Sequence, residues 1–335
     1  LVKQTDSLKA SKTQFLRPLM RVSLLTCASR QLMKPLLNTS ANYRLMTVVL
    51  CLAGALASNP ISAHADLLEQ IKQRGKIVVG VKKDVPLWGM QNITNGRIEG
   101  LEPDLAEDIA RRLGVKLELR GLTTDERVPA LQSEQVDVLI ATLSHTPERE
   151  KILTLVAPDY YASGVSVLAK KRDNFSTWEE LRNRRICSRR GAFYNRLVTV
   201  KYGINLVALY NNQGSINALQ DGRCDGLLYD DTNIIALLQT ARWSGDHEMR
   251  LPTLYVTPWS IALKVEERGG ALEQVISRAV VDWHRTGRLL ALEQQWKIPA
   301  STFALKKNQL WQQKKSDGSY FCGEKISPNT PKECR

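Results

Sequence analysis

The chain has 335 residues, 43% hydrophobic and 24% charged, which gives room for two folded domains and excludes a disordered chain. Its formal charge of +13 is unevenly spread: the first 65 residues hold eight of the Lys/Arg residues and one acid, Asp6, leaving the rest at +6. No basic stripe or nucleic-acid-binding module accompanies that remainder, so it reads as a basic soluble surface and no nucleic-acid partner is expected.

Residues 45–57, LMTVVLCLAGALA, form an uncharged apolar run, short for a bilayer crossing. Lys34 and Arg44 precede it and Ala63-His64-Ala65 follows. That order of basic, apolar and small residues predicts a secretory signal peptide cleaved after Ala65, with an uncleaved anchor as the alternative. Leu50 before Cys51 disfavours lipoprotein processing. The stretch before Arg44 is long for a signal's basic region, and Met20, Met33 and Met46 are candidate starts, so residues 1–65 are set aside from the fold. Export implies an oxidising compartment, the periplasm. Four cysteines remain there, none in CxxC spacing, and they allow three pairings. Cys187–Cys224 and Cys322–Cys334 are favoured, the second closing a C-terminal loop with little apolar content to hold it.

From Leu67 onward helices and strands alternate. LLEQIKQR is a helix stopped by Gly75, and KIVVGV (76–81) a strand. Asn95-Gly96 signals a hairpin. LEPDLAEDIARRL places Leu105, Ile109 and Leu113 on one helical face, with acids first, arginines last and Gly114 as the stop. VKLELRGL is a strand, DERVPALQSEQ a short helix and VDVLIATL a buried strand. After SGVSVLAKK (163–171), read as a crossing strand, the pattern restarts: RRICSR, INLVALY and CDGLLYDD are strands, separated by the helices FYNRLVTVKYG and GSINALQDG and followed by TNIIALLQTAR. WSIALKV (259–265) reads as a second crossing, and an amphipathic segment from Leu272 to Trp296 packs back on the first lobe. The fold class expected is α/β: a two-lobed clamshell, each lobe a mainly parallel sheet flanked by helices, with two crossing strands as hinge. Lobe one takes residues 66–168 and 261–305, lobe two residues 169–260, and residues 306–335 are a tail.

Open α/β sheets bind ligands beyond the C-terminal ends of their strands. In lobe one that position holds Thr142, Ser144 and Arg149. Arginine's planar fork matches a carboxylate, and the hydroxyls and turn amides can complete the anion's hydrogen bonds. Read locally, the same stretch is also a good helix start. In lobe two, CDGLLYDD ends in Asp230 and Asp231, and an aspartate facing Arg149 would pair the ammonium of an α-amino acid; either acid, or Thr232, could instead cap the next helix. The histidines have no metal spacing, no P-loop, GxSxG or HExxH is present, and neither metal nor cofactor is expected. His145, beside the site, reads as a solvated turn residue.

In order and spacing, KIVVGVKKDVP, GRIEGLEPDLAEDIARRLGVKLEL, RVPALQSEQVDVLIATLSHTPEREK, PDYYASGVSVLAKK, ALQDGRCDGLLYDD and SIALKV resemble the polar amino-acid substrate-binding proteins of bacterial ABC transporters, the type II periplasmic binding fold. The resemblance spans roughly residues 67–300. It implies that Arg149 and Ser144 clamp the ligand α-carboxylate, that Thr142 and Asp230 take the ammonium, and that Trp88 lines the pocket, plain core being the alternative for Trp88. It also implies a bridge like Cys187–Cys224, a permease partner and a monomer. RRGAFYN departs from the resembled pattern: Gly191 keeps the turn, but Ala192 and Phe193 replace the hydroxyls, leaving backbone amides for the anion. Lys82 and Lys83 after the first strand, with Arg190 from lobe two, point to an acidic amino acid, glutamate before aspartate; glutamine stays open if Lys82 is merely solvated. A cyclohexadienyl dehydratase-like enzyme on the same fold is the alternative function, with Asp230 and Asp84 as candidate acids. A sensory or peptidoglycan-acting protein would need more chain than follows residue 300.

Overall fold

The computed structural model describes residues 66–335. The expected signal peptide lies outside them. Asp66 caps a helix at Leu67–Arg74, its side chain accepting from the Leu68 amide. Strand β1 (Lys76–Lys82) follows, then three short strands, β2 (Asp84–Val85), β3 (Gly89–Gln91) and β4 (Ile98–Glu99), which make their own small sheet. β3 and β4 flank the Asn95-Gly96 turn. The helix Leu101–Leu113 ends at Gly114, whose φ of 69° is left-handed, as the sequence predicts. Strands β5 (Lys116–Leu122) and β6 (Val138–Leu139) pair parallel with β1 on either side.

Two long strands connect the halves of the molecule. β7 runs from Leu153 to Lys170, beginning ten residues before the stretch read as a crossing. Lobe two then adds β8 (Arg185–Arg189), β9 (Asn205–Leu209) and β10 (Gly226–Asp230), with a short β11 (His247–Glu248). β12 (Leu254–Lys264) returns antiparallel to β7, its Lys264 end opposite Leu153 and its Leu254 end opposite Val165. The sheet order is β5-β1-β6-β12-β7-β10-β8-β9, so one continuous sheet carries both lobes.

Helices cover both faces. The large core of lobe one is built on Ile77, Val79, Leu105, Ile109, Ile276 and Trp283, and a smaller one on Leu122, Leu131, Leu139 and Leu153 lies on the other side. In lobe two, period-two alternation sends Leu228 to a cluster with Tyr194 and Val198, and Leu227 and Tyr229 to a cluster with Ile216, Ile234 and Trp243. Both favoured disulfides form, Cys187–Cys224 and Cys322–Cys334. Among the described residues no helix is long and apolar enough to cross a membrane.

Two stretches gain detail. The segment Leu272–Trp296 is two helices, Ala271–Thr286 and Arg288–Gln295, parted by Gly287 in a left-handed conformation. At the start of the stretch read as a tail (306–335), a helix spans Thr302–Gln312, across that boundary, and buries Trp311 with Val281, Cys322 and Cys334. Arg285 fastens it, reaching Glu324 at 3.0 Å and the Gly323 carbonyl at 2.6 Å. Exchanging Cys322 and Cys334 for serine removes a short cross-link worth about 2–3 kcal/mol. The expected result is faster hydrogen exchange in Thr302–Gln312, with β1 and β5 unchanged; unchanged exchange in that helix would show the bridge to be dispensable.

Candidate functional site

The site begins where β6 runs out. Ile140 still donates to the Gly80 carbonyl, but Thr142 turns to a φ of 46°, a strained conformation for a β-branched residue. Two buried groups hold it there. The Thr142 amide donates to Glu102 Oε1 at 2.6 Å, and its carbonyl accepts from Arg127 Nη1 at 2.7 Å. Its hydroxyl has no partner among the described residues. At Ser144 the ladder to β12 is made by the neighbours, His145 N–H to Pro258 O (2.7 Å) and Ser260 N–H to Leu143 O (2.9 Å). The Ser144 amide therefore points away from β12. Thr146 then caps the one-turn helix Pro147–Glu150, which delivers Arg149 back onto the Ser144 carbonyl at 2.7 Å. The local reading as a helix start and the reading as a ligand turn are thus both satisfied by one stretch. Arg149 has no carboxylate within ion-pair distance among the described residues. Burial and nearby Arg189 push its guanidinium down to about 10, with Asp230 opposing.

Lobe two brings Asp230 to the same region from the end of β10. Asp230 is not alone. Arg189, at the end of β8, donates Nη2 to its Oδ2, Nη1 to Tyr194 Oη at 2.6 Å, and Nε across the cleft to Thr124 Oγ1 at 3.0 Å. Burial opposes the charge on Arg189, but the adjoining Asp230 carboxylate outweighs it and holds the guanidinium protonated. Of the two adjacent arginines it is Arg189 that is buried here, where the sequence reading named Arg190. Arg190 is half-exposed at the rim, 3.4 Å from Asp125 and over the Tyr210 ring. Gly191 has a φ of 75°, and a Cβ there would meet Asp125 Cα at 2.9 Å, so only glycine lets the lobes approach this closely. Ala192 and Phe193 are half-buried and pack on the lobe-two core. This turn faces Asp125 of lobe one.

Lys82 ends β1 with none of its surface exposed. Its Nζ lies 2.9 Å from Asp84 Oδ1 and 3.0 Å from Thr124 Oγ1. It is not solvated. Burial pushes its ammonium down to about 7, with Asp84 opposing and Arg127 and Arg189 adding to the fall. Arg127, buried on the carbonyls of Thr124, Ala141 and Thr142, is pushed down to about 9 by burial and by Arg149 and Arg189. Burial pushes Glu102 the other way, up to about 8, despite its hydrogen bonds from Tyr160 and Thr142. Four basic side chains, Lys82, Arg127, Arg149 and Arg189, therefore gather around the carboxylates of Asp84 and Asp230 and around Glu102, whose own carboxyl is pushed up to about 8 by burial. Such a cleft attracts an anion. No group of His, Cys, Asp and Glu suited to a metal exists among the described residues.

The sequence profile of the bacterial extracellular solute-binding proteins, family 3, matches residues 77–299. The chain belongs to that family. A glutamine-binding protein of Geobacillus stearothermophilus is 30% identical over 52% of this chain and 68% of its own length. An ABC transporter glutamine-binding protein of Bacillus subtilis is 25% identical over 79% of this chain and 97% of its own. Among solved structures, a mutant of the ArgBP of T. maritima superposes with a TM-score of 0.63 at 27% identity, covering 69% of this chain and 98% of its own. These solved relatives carry the same type II clamshell.

In this family member two further expectations move. Trp88 is wholly buried in the core of lobe one, its ring 4.6 Å from Tyr161 and 4.8 Å from Trp259, so the core alternative describes its place. His145 is no solvated turn residue. Its Nδ1 meets Asp159 at 2.8 Å and Ser260 Oγ at 3.0 Å, on the two crossing strands, and its Nε2 meets Glu150 at 2.6 Å. Serine and aspartate share one ring nitrogen and Ser260 has no exposed surface, so this is a tie between hinge and ligand turn, not a nucleophile. Residues 82, 142, 144, 149 and 230 do converge; Arg127, Arg189, Thr124 and Glu102 join them unannounced. The Asp159 bond, with burial opposing and Glu150 assisting, raises His145 to about 9. Lys307 also feels Asp159, and Arg268 donates to the Glu150 carbonyl. Because the folded value lies above the ordinary 6.5, the stabilisation is complete below that pH and is lost as pH rises through about 9. His145→Gln should flatten this decline, about 2 kcal/mol in size, in urea unfolding compared at pH 6, 8 and 9.5. A decline of equal size in the variant would assign it elsewhere.

Proposed function

We propose that the protein is the periplasmic amino-acid-binding component of an ABC transporter, that it captures an acidic amino acid between its lobes, glutamate before aspartate, and that it delivers it to a membrane permease. The observation that carries this reading is the surplus of buried cations, above all Arg149, which meets no carboxylate of the described chain. Family membership supports the binding role; the acid is inferred from charge. Arg149, the Ser144 amide and the Ser144 hydroxyl would hold the α-carboxylate. Thr142 and Asp230 would take the ammonium, through the Asp230 oxygen that neither Arg189 nor Asn233 uses. Lys82 and Arg189 would face the side-chain carboxylate. Lobe one would then comprise residues 66–168 and 261–305, and lobe two residues 169–260. The protein would not be an enzyme: the two acids a dehydratase could use, Asp84 and Asp230, are each committed to a cation, Lys82 and Arg189.

Calorimetric titration of ligand-stripped protein tests this directly. Glutamate should bind more tightly than glutamine. Arg149→Ala should weaken glutamate by about 2–5 kcal/mol, from roughly thirtyfold to a few thousandfold. Tighter binding of glutamine would discard the acidic assignment, and an Arg149→Ala protein of unchanged affinity would discard the anchor.

The pH dependence follows from the same groups. Lys82 is pushed down to about 7 in the unliganded site, and a bound carboxylate would restore its proton. Glutamate binding near neutral pH should therefore take up protons, seen as a heat that varies with the buffer's ionisation enthalpy. Affinity should fall as pH rises above 7, and the rise of Glu102 to about 8 acts in the same direction, because its ionisation adds a negative charge. A constant affinity from pH 6 to 8.5 would count against Lys82 as a ligand partner.

A further inference from the structure

We propose that the rim of the cleft carries a latch, Tyr210 of lobe two closing on Glu126 of lobe one with Arg190 on Asp125 beside it, which holds the lobes together before any ligand enters and slows a ligand's release. The holding rests on the geometry alone; the slowed release rests also on the binding role proposed above.

The lobe-one side is a prepared catch, the loop between β5 and the helix Arg127–Gln132. The Thr123 hydroxyl donates to Asp125 Oδ1 at 2.8 Å, and the Thr123 amide donates to Glu126 Oε2 at 2.8 Å. Lys83 reaches the same Glu126 oxygen at 3.2 Å. Each carboxylate uses one oxygen on its own lobe and turns the other across the cleft. Glu126 Oε1 accepts from the Tyr210 hydroxyl, and Asp125 Oδ2 lies 3.4 Å from Arg190 Nε. Burial opposes the charge on Glu126, but the bonds from Thr123, Tyr210 and Lys83 hold its carboxyl down to about 2, so it is an ionised acceptor at neutral pH.

The lobe-two side is set by the sheet. β8 and β9 pair Arg189 with Leu209, and the Arg190 amide donates to the Leu209 carbonyl at 2.9 Å. That register lays the Arg190 guanidinium over the Tyr210 ring, 5.1 Å from its centre, so the two rim residues support each other. The rim also runs in step with the cationic cleft: Arg189 meets Thr124 inside, and the next residue of each lobe, Arg190 and Asp125, meets outside. Closure without a ligand has to overcome the repulsion between Arg189 and the lobe-one cations, and the rim bonds supply an attraction that needs no ligand. Their partners are partly exposed and each bond is weak, so the latch tips the balance between open and closed without locking it.

Hydrogen exchange of the Asn212 amide in the ligand-free full chain reads this balance. As the first residue of the helix Asn212–Gln220, Asn212 has no acceptor within its helix; its amide donates to Asp84 of the other lobe at 3.0 Å, so its exchange follows opening. Glu126→Ala, on the opposite lobe, should speed that exchange about three- to tenfold, the net effect of one hydrogen bond, with the circular-dichroism spectrum unchanged. Tyr210→Phe should do the same alone and add nothing in the Glu126→Ala background. Should Glu126→Ala fail to fold, Tyr210→Phe, at a half-exposed ring, is the deciding variant, and its ligand-free small-angle scattering should show a larger radius of gyration. In stopped-flow experiments glutamate should leave Tyr210→Phe faster by the same factor, with its association rate unchanged. Unchanged Asn212 exchange in Tyr210→Phe, or additive effects in the double variant, would overturn the latch, and an unchanged release rate would overturn its effect on the ligand. A wild-type chain that does not bind glutamate would instead discard the ligand proposed above, and the exchange measurement would still decide the latch.

Discussion

The antiparallel pairing of β7 with β12 is the constraint on which the molecule depends. It begins with Leu153 opposite Lys264 in lobe one and reaches Val165 opposite Leu254 at the edge of lobe two. A register set so early in the sheet determines which side chains meet at its middle. There Tyr161 lies opposite Trp259, and Trp88 packs edge-on against both rings. The Tyr161 hydroxyl donates to Glu293 at 2.6 Å, and Glu293 in turn accepts from the Ser301 amide at the head of the last helix. The hinge is therefore not two bare strands. It is braced by an aromatic cluster and tied to the tail, while His145 ties it to the turn that carries Arg149. Bending the crossing strands would be felt at the ligand turn through two residues, Asp159 and Ser260.

The lobes meet through polar contacts of modest size: Asp84 with the Asn212 amide at 3.0 Å, Arg189 with Thr124, Arg190 with Asp125, and Tyr210 with Glu126. Two of the four, Arg190–Asp125 and Tyr210–Glu126, are half-exposed, where an ion pair contributes about 0–1 kcal/mol. Against them stands the mutual repulsion of Lys82, Arg127, Arg149 and Arg189. Burial, with that repulsion adding to it, lowers the proton affinity of the first three. Closure without an anion leaves this repulsion in place; closure around one converts it to attraction. A ligand touching both lobes thus shifts the population by more than its contacts with either lobe alone.

Much of this was legible in the sequence, and the reasons differ by element. The alternation of strands and helices was clear because each element has its own period and its own stop, as at Gly114. Arg149, Thr142, Ser144 and Asp230 were legible because they sit at strand ends, where parallel sheets present side chains to ligands. Arg189 was missed because two adjacent arginines alternate between inside and outside, and only the register of β8 decides which is which. Arg127 and Glu102 were missed because nothing local shows that a charged residue in an amphipathic helix is buried. The break at Gly287 was hidden within a continuous apolar pattern, and the helix Thr302–Gln312 has too weak an apolar face to announce itself. His145 failed for a related reason: its partners Asp159 and Ser260 lie 14 and 115 residues away.

The departure at residues 191–193 acquires a physical meaning in this frame. The turn keeps Gly191 but loses hydroxyls at Ala192 and Phe193, whose side chains pack on the lobe-two core instead. Gly191 brings the turn against Asp125, and Arg190 answers that carboxylate at the rim. The turn is therefore spent on contact between lobes. Side-chain charge stands next door in Arg189, with Asp230, Tyr194 and Thr124 fixing its guanidinium on three sides. Under the proposed function, recognition in lobe two would rest on a held charge more than on backbone dipoles. A held guanidinium acts at longer range than a turn of neutral amides, so in that reading it would discriminate by the sign of the ligand's side chain more than by its length.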